Sequence, residues 1–295
     1  MPVSNEQSQQ QKNQKPIRTK WKAVEPALDD VRKTFGFVPS FVENFTDQSI
    51  PGAWNEAKSL RFSPGLLGTK LKGLIALGVS AQIPCTRIKY FEEKATQAEG
   101  VTLQEQHEAI LMSAITRHWS TVLNGSLLDK KEFRAEADKV MAYVKKMMDD
   151  SGGKLPPEEM FLVEPQTAAE TFKDIEKTLG LVPKFFQLFP KAAIPGGWSE
   201  FKGLQLNPHT ALNGKQKELI GLGVAAQIPC DYCTYFHRSA AVLNGATEDE
   251  IQEAIATSAL TRHWSTVFHG PNLDLNGFQK DADRMLEFQG KRSLQ

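Results

Sequence analysis

Two cysteines and a histidine stand at C-x-x-C-x-x-x-H spacing in the segment AQIPCDYCTYFH, which runs from residue 226 to 237. Pro229 suits the first position of a helix, so Cys230 is expected in the first turn. At about 100° per residue, Cys230, Cys233 and His237 then share an arc of about 60° on one helix face. A thiol is nucleophilic once ionised, and its pKa falls at a helix N-terminus or beside a histidine or second thiol. The pattern favours dithiol redox chemistry over a structural cysteine pair or a zinc site, which needs a fourth ligand.

A second version of this segment, AQIPCTRIKYFE, occupies residues 81–92, which places Cys85 145 residues before Cys230. At that offset residues 74–92 match residues 219–237 at 12 of 19 positions, and residues 109–123 match 254–268 at 11 of 15. Further upstream, FGFVPSF pairs with LGLVPKF and IPGAW with IPGGW at an offset of 144. The chain is therefore a tandem duplication, and internal repetition of this kind decides the architecture.

The two copies differ where chemistry is at stake. Residues kept in both, among them the RHWST stretches at 117–121 and 262–266, are interpreted as scaffold. Three reactive side chains of copy two are missing from copy one: Cys233 is replaced by Ile88, His237 by Glu92 and Glu218 by Gly73. Copy one is therefore expected to lack a working centre and to serve as a packing partner.

Other candidates carry weaker signals. Glu218 is either a partly buried base that accepts a thiol proton or a first-turn carboxylate that stabilises its helix behind a cap near Asn213. His118 and His263 occur in both copies and are interpreted as structural. Cys85 lacks a second cysteine and is interpreted as a small packed thiol.

Composition limits the class of protein. The chain has 295 residues, 35 basic and 35 acidic side chains and no net charge, which argues against a nucleic-acid partner. No apolar run reaches the ~18–20 residues that a spanning helix needs, so no membrane partner is expected. Three cysteines argue against a disulfide framework and favour a reducing compartment, so we predict a cytoplasmic location. Residues 1–20 are rich in Gln and Lys and are predicted to form a mobile arm.

Periodicity predicts an all-α fold. Apolar residues recur at helical spacing in 24–35 and 172–182, and Gly36 and Gly180 are expected to end these helices. Further helices are predicted at about 70–81, 84–98, 103–122 and 131–148, with counterparts in copy two. The Gly- and Pro-rich segment 149–159 separates the copies. The predicted domains are therefore 21–150, which is degenerate, and 160–290, which holds the C-x-x-C.

These residues resemble the carboxymuconolactone decarboxylase superfamily and, within it, the alkylhydroperoxidase D-like proteins. The family signature is a glutamate followed about a dozen residues later by C-x-x-C and a histidine four residues on, which Glu218, Cys230, Cys233 and His237 match. The resemblance implies all-helical, tandem duplicated domains. It also implies that Cys233 attacks a hydroperoxide, that Cys230 resolves the product as a disulfide, and that Glu218 and His237 relay protons. Alkylhydroperoxidase D itself has a histidine where this chain has Tyr232, and the decarboxylase branch does not use a C-x-x-C.

The sequence thus predicts a thiol-dependent peroxidase that needs no bound cofactor or metal. Its expected partners are a hydroperoxide substrate, a dithiol or thioredoxin-like electron donor and further copies of the chain, since single-copy relatives assemble as trimers or hexamers. Two alternatives remain open. One is a general disulfide oxidoreductase that uses the same cysteines. The other is a non-catalytic redox sensor or oligomeric scaffold.

Overall fold

The structure is a computed structural model that describes residues 22–162, 164–270 and 273–293. Helices account for most of these residues, and no β-strand occurs among them, so the predicted all-α fold is confirmed. The predicted N-terminal arm lies outside the described residues. Within the described ranges, no helix combines the length and the apolar character needed to cross a membrane.

Copy one begins with two amphipathic helices and continues with four longer ones. A short 3-10 helix, Ser40–Asn44, lies between the first two α-helices. The α-helices are α1 (Val24–Phe35), α2 (Ile50–Leu60), α3 (Gly68–Gln82), α4 (Thr86–Ala98), α5 (Leu103–Gly125) and α6 (Lys130–Asp150).

Copy two repeats this order with one irregularity. A 3-10 turn, Glu158–Met160, precedes it. Its α-helices are α7 (Ala168–Leu179), α8 (Lys184–Leu188), α9 (Ile194–Glu200), α10 (Gly214–Gln227), α11 (Asp231–Leu243), α12 (Glu248–His269) and α13 (Leu275–Ser293). A π-helix, Phe201–Leu206, continues directly from α9. π-helical segments are rare in proteins, and those that occur often lie at functional sites.

The helix ends follow local sequence signals. Gly36 and Gly180 end α1 and α7 in the left-handed conformation, each with φ of 81°, as predicted. Asn213 caps α10, and its side chain accepts a hydrogen bond from the Gln216 backbone N–H. One expectation is wrong: Pro229 lies before the helix instead of at its first position, and Cys230 is the N-cap residue of α11.

The chain forms two compact units that do not follow the repeat. The smaller unit takes residues from both ends, up to Lys58 and from Val267 onward. In it α13 packs on α1, and Phe41 contacts the rings of Phe268 and Phe278. The larger unit, Ser59–Thr266, contains the boundary predicted between the copies. The division into domains 21–150 and 160–290 therefore describes the repeat and remains a prediction for independent folding.

The core of the larger unit joins helices of both copies. Helix α10 packs against α3 and α5 of copy one as well as against its neighbour α11. Glycines allow the close approach of α3 and α10: a Cβ on Gly223 would lie 3.0 Å from the Ile75 side chain, and one on Gly78 would lie 3.3 Å from Ile220. Helix α11 packs against α6. The C-x-x-C helix of copy two is thus held against helices of copy one.

Candidate functional site

The two cysteines meet at the start of α11. Cys230 is the N-cap, and its sulfur accepts a hydrogen bond of 3.3 Å from the Cys233 backbone N–H. The two Sγ atoms are 3.0 Å apart and share a hydrogen bond, and both thiols are free. Cys230 is 0% exposed and Cys233 4% exposed. The helix N-terminus therefore presents a close, buried dithiol pair.

The surroundings shift the pKa values of the two thiols in opposite directions. The hydrogen bond from Cys233 lowers the pKa of Cys230 to about 5, and bonds from Ser120, the Cys233 N–H and Asn124 act in the same direction against burial. For Cys233 the hydrogen bond with Cys230 raises the pKa, and burial raises it further. Cys230 is therefore the thiol that holds a negative charge, and Cys233 is the one that keeps its proton.

Copy one supplies two of the polar groups around the sulfurs. Asn124, near the end of α5, donates through Nδ2 to Cys230 Sγ at 3.4 Å and to the Ser120 carbonyl at 2.8 Å. The Ser120 side chain lowers the pKa of both thiols. A hydrogen bond to a charged group is worth about 1.5–3 kcal/mol. The charge on Cys230 is thus stabilised by a helix of the copy that lacks the motif.

A buried histidine and glutamate lie one turn further along α11. His237 Nδ1 is 2.7 Å from Glu218 Oε2, and both side chains are 4% exposed. The other carboxylate oxygen, Oε1, accepts a hydrogen bond of 3.1 Å from Gln205 Nε2 on the π-helix. Glu218 bonds to these side chains, while Asn213 caps its helix. Glu218 thus lies behind the Asn213 cap, as the helix-stabilising interpretation expects, and contacts His237, as the proton-relay interpretation requires. Its role stays a prediction.

Two further residues hold this pair in place. Gly221 leaves room for the His237 ring, because a Cβ at that position would lie 2.4 Å from Cε1. Lys217 is fully buried, and its Nζ donates to the carbonyls of Leu204 at 2.8 Å and Asn207 at 2.6 Å, which lie on either side of Gln205 along the chain. Burial lowers the pKa of Lys217 to about 8.

Cys233 and His237 line one pocket, whose wall is otherwise almost entirely apolar. The pocket holds about 30 Å³ of space for the centre of a water-sized sphere, and about 370 Å³ is empty when the solvent at its mouth is counted. Thr116 of copy one lies beside His237, with 3.2 Å between its Oγ1 and His237 Nε2. Aromatic and aliphatic side chains of both copies form the remaining wall together with Gln205: Ile115, Trp119, Leu123, Phe133, Phe185, Phe201 and Phe236. No lysine or arginine belongs to this described lining.

At the corresponding place in copy one, an ion pair replaces the relay. Arg61, at the position of Gln205, donates to Glu92 through Nε at 2.9 Å, and its Nη2 lies 2.8 Å from the same carboxylate as an ion pair. Both side chains are about 5% exposed. Burial raises the pKa of Glu92, and Arg61 opposes that shift. A Cβ on Gly73 would lie 2.4 Å from the Thr96 side chain and 3.1 Å from Arg61 Nη2. A glutamate equivalent to Glu218 therefore has no space here.

The remaining candidates lie apart from the chemistry. Cys85 is fully buried and is the N-cap of α4. The His118 ring packs against Trp119 and Phe189, and the His263 ring against Trp264. In the zinc alternative Cys230, Cys233 and His237 would converge on one ion. Both nitrogens of His237 are instead bonded to Glu218 and Thr116.

Sequence reasoning missed the polar residues that copy one contributes. Thr116, Ser120 and Asn124 recur every four residues on α5, which is the spacing of one helix face. Trp119 and Ser120 belong to the RHWST stretch, so interpreting it purely as scaffold is wrong. The four-residue spacing of Thr116, Ser120 and Asn124 indicates a polar helix face. It does not indicate which helix that face contacts.

Comparisons with known proteins find similarity to one family over part of the chain. Residues 192–270 match the sequence model of the Carboxymuconolactone decarboxylase family, and this segment contains Glu218, Cys230, Cys233 and His237. A crystal structure assigned by name as a gamma-carboxymuconolactone decarboxylase subunit, from Burkholderia xenovorans LB400, is similar with a TM-score of 0.53 and 16% identity. That match covers 91% of this chain and 98% of the other. No curated protein sequence matches this chain.

The family match supports the predicted superfamily over residues 192–270. The structural match, at 16% identity, shows the same fold over nearly the whole chain. Assignment to the alkylhydroperoxidase D-like branch is a finer statement that depends on the cysteine site.

Proposed function

We propose that the protein is a thiol-dependent peroxidase that reduces organic hydroperoxides through a dithiol–disulfide cycle at Cys230 and Cys233. The observation that carries this proposal is the position of Cys233. Its sulfur lies 3.0 Å from a thiol with a lowered pKa and lines an apolar pocket beside the buried His237–Glu218 pair. Nucleophile, resolving thiol and proton carrier are thus within one site.

The first step assigns different tasks to the two sulfurs. As Cys233 Sγ approaches the hydroperoxide, its proton passes to the Cys230 thiolate across their hydrogen bond, so Cys233 gains its negative charge only as it reacts. Cys233 Sγ then attacks the terminal oxygen of the hydroperoxide, and the O–O bond breaks. The products are a sulfenic acid on Cys233 and an alkoxide, which becomes the alcohol by taking a proton from His237.

The second step closes the disulfide. The His237–Glu218 pair, which has given up its proton, takes the proton of the Cys230 thiol. The Cys230 thiolate then attacks Cys233 Sγ and displaces hydroxide, which leaves as water with that proton. One hydroperoxide and two thiols thereby yield one disulfide, one alcohol and one water. An external dithiol donor, for which a thioredoxin-like protein is the expected class, restores the reduced pair and completes the cycle.

The pocket favours an organic hydroperoxide over hydrogen peroxide. Its wall contains five aromatic side chains that can cover an alkyl or aryl group: Trp119, Phe133, Phe185, Phe201 and Phe236. Burial of apolar surface contributes about 25 cal/mol per Å². A carboxymuconolactone carries a carboxylate, and the described lining has no lysine or arginine to pair with it; its histidine, His237, is already bonded to Glu218. The decarboxylase activity in the neighbour's name is therefore disfavoured for this chain.

The burial of the sulfurs also weighs against a general disulfide oxidoreductase. Such an enzyme must bring a thiolate to a disulfide on another protein, whereas Cys230 and Cys233 are 0% and 4% exposed. A small hydroperoxide in the pocket meets no such barrier. A redox sensor would use the same site but would react once without a recycling donor.

The test is a hydroperoxide assay on the reduced full-length protein. With cumene hydroperoxide and dithiothreitol we expect repeated turnover, and without dithiothreitol we expect one equivalent consumed and one Cys230–Cys233 disulfide by peptide mass mapping. Cys85→Ser is the matched control and is expected to behave like the unmodified chain. A single oxidation with no turnover in excess dithiothreitol would support the sensor, and no oxidation would refute the proposal.

A further inference from the structure

Thr116 of copy one makes a contact that neither the motif nor the family match assigns. The residue lies on α5 and is 2% exposed. Its Oγ1 is 2.8 Å from the Met112 carbonyl oxygen and 3.2 Å from His237 Nε2. The opposite nitrogen, Nδ1, is bonded to Glu218 at 2.7 Å. The His237 ring is therefore held between a carboxylate of its own copy and a hydroxyl of the other.

The Thr116 hydroxyl can hydrogen-bond His237 Nε2 whether or not that nitrogen carries a proton. A threonine hydroxyl has one hydrogen to donate and can also accept. When Nε2 carries a proton, that N–H donates to Oγ1, and the hydroxyl donates to the Met112 carbonyl. When Nε2 is bare, the hydroxyl must turn and donate to the ring. A change at Nε2 is thus matched by rotation of one buried hydroxyl.

We propose that Thr116 is a positioning residue, which holds the His237 ring against Glu218 and, by turning its hydroxyl, accommodates Nε2 with and without its proton. The proposal rests on the peroxidase function for the proton that His237 gives to the leaving alkoxide. As that proton departs, the Thr116 hydroxyl turns from Met112 to the bare Nε2, and it turns back when a proton returns. Copy one thereby takes part in the chemistry through a residue other than cysteine.

The duplication provides a matched control. Thr261 occupies the position of Thr116 in copy two, is 5% exposed, and bonds the Thr257 carbonyl through Oγ1 at 2.8 Å, as Thr116 bonds Met112. Copy one has Glu92 where copy two has His237. Valine at either threonine removes an equivalent hydroxyl and backbone bond from an equivalent helix, but only Thr116→Val removes a partner of the histidine.

Two measurements test the proposal on the full chain. The first is the ¹⁵N NMR signal of the His237 ring nitrogens, assigned with His237→Gln. The second is the turnover of cumene hydroperoxide. We expect Thr116→Val to move the Nε2 signal and to lower kcat by about 10- to 100-fold. Thr116→Ser, which keeps the hydroxyl, should restore both, and Thr261→Val should change neither.

The two readouts separate this proposal from the proposed function. If the unmodified chain turns over no hydroperoxide, the peroxidase assignment fails, and the NMR signals alone decide the role of Thr116. A His237 spectrum in Thr116→Val that matches the unmodified chain, or an equal shift in Thr261→Val, would overturn the positioning role. A shift confined to Thr116→Val and reversed in Thr116→Ser supports it.

Discussion

Gly221→Ala is expected to displace the His237 ring without unfolding the protein. The added Cβ would lie 2.4 Å from His237 Cε1, 2.5 Å from Nδ1 and 2.9 Å from Nε2, whereas ordinary contacts begin at 3.4 Å. The ring must therefore move by about 1 Å. A shift of that size away from Glu218 takes the present 2.7 Å bond to Nδ1 beyond hydrogen-bonding distance.

The expected effect on rate is large and on stability small. A misplacement of about 1 Å can cost about 100-fold in rate. Overpacking destabilises by about 1–3 kcal/mol, while replacing a helical glycine by alanine returns about 1 kcal/mol. The net loss of at most ~2 kcal/mol leaves the chain folded. Copy one already has Ala76 at this position, opposite Glu92 instead of a histidine ring.

The assay is the initial rate of cumene hydroperoxide consumption by the reduced chain, with Tm measured in parallel. Gly290→Ala is the control for helix propensity, because a Cβ at Gly290 meets nothing within 4 Å. That variant should keep the full rate. An unchanged rate in Gly221→Ala would refute the reasoning, since it would mean that the position of His237 does not limit the reaction.

Three further outcomes follow from the site and from copy one. Cys233→Ser should abolish hydroperoxide consumption, and Cys230→Ser should stop at one sulfenic acid, which intact mass after dimedone trapping would reveal; equal rates would reject these roles. Thiolate absorbance at 240 nm should fall with a midpoint near pH 5, where Cys230 takes up a proton, and Asn124→Ala should raise that midpoint by about one pH unit. An unchanged midpoint would show that Asn124 does not stabilise the thiolate. Arg61→Met should lower the free energy of unfolding by about 3 kcal/mol, since Glu92 loses its buried partner, while the peroxidase rate stays the same; an unchanged denaturation curve would contradict this estimate.

The part of the site that could be predicted from sequence is the part that is local in sequence. Cys230, Cys233 and His237 lie on one helix, so their spacing alone places them on one face. Glu218 is carried by the preceding helix, and its absence from copy one indicated that it belongs with them. The helix ends at Gly36 and Gly180 were equally predictable, because a left-handed C-cap depends on the residue itself.

The other half of the site depends on contacts between distant segments. Asn124 and Cys230 are separated by 106 residues, and Thr116 and His237 by 121. No periodicity specifies which helix faces will meet across such distances. The prediction for Pro229 failed for a different reason: the side chain of Cys230 caps α11, so the helix begins two residues later than the proline suggests.

Residues identical in both copies do not all serve packing alone. Copy one has no motif of its own to support, which favours a packing role for them. Yet the α5 helix of copy one faces the site of copy two, so Thr116, Ser120 and Trp119 serve a motif that lies elsewhere in the chain. Copy one lost the relay that its own helices would carry, and Arg61 and Glu92 fill that space. What copy one retains is part of the wall of the pocket in copy two, so we expect the degenerate copy to be required for the proposed chemistry.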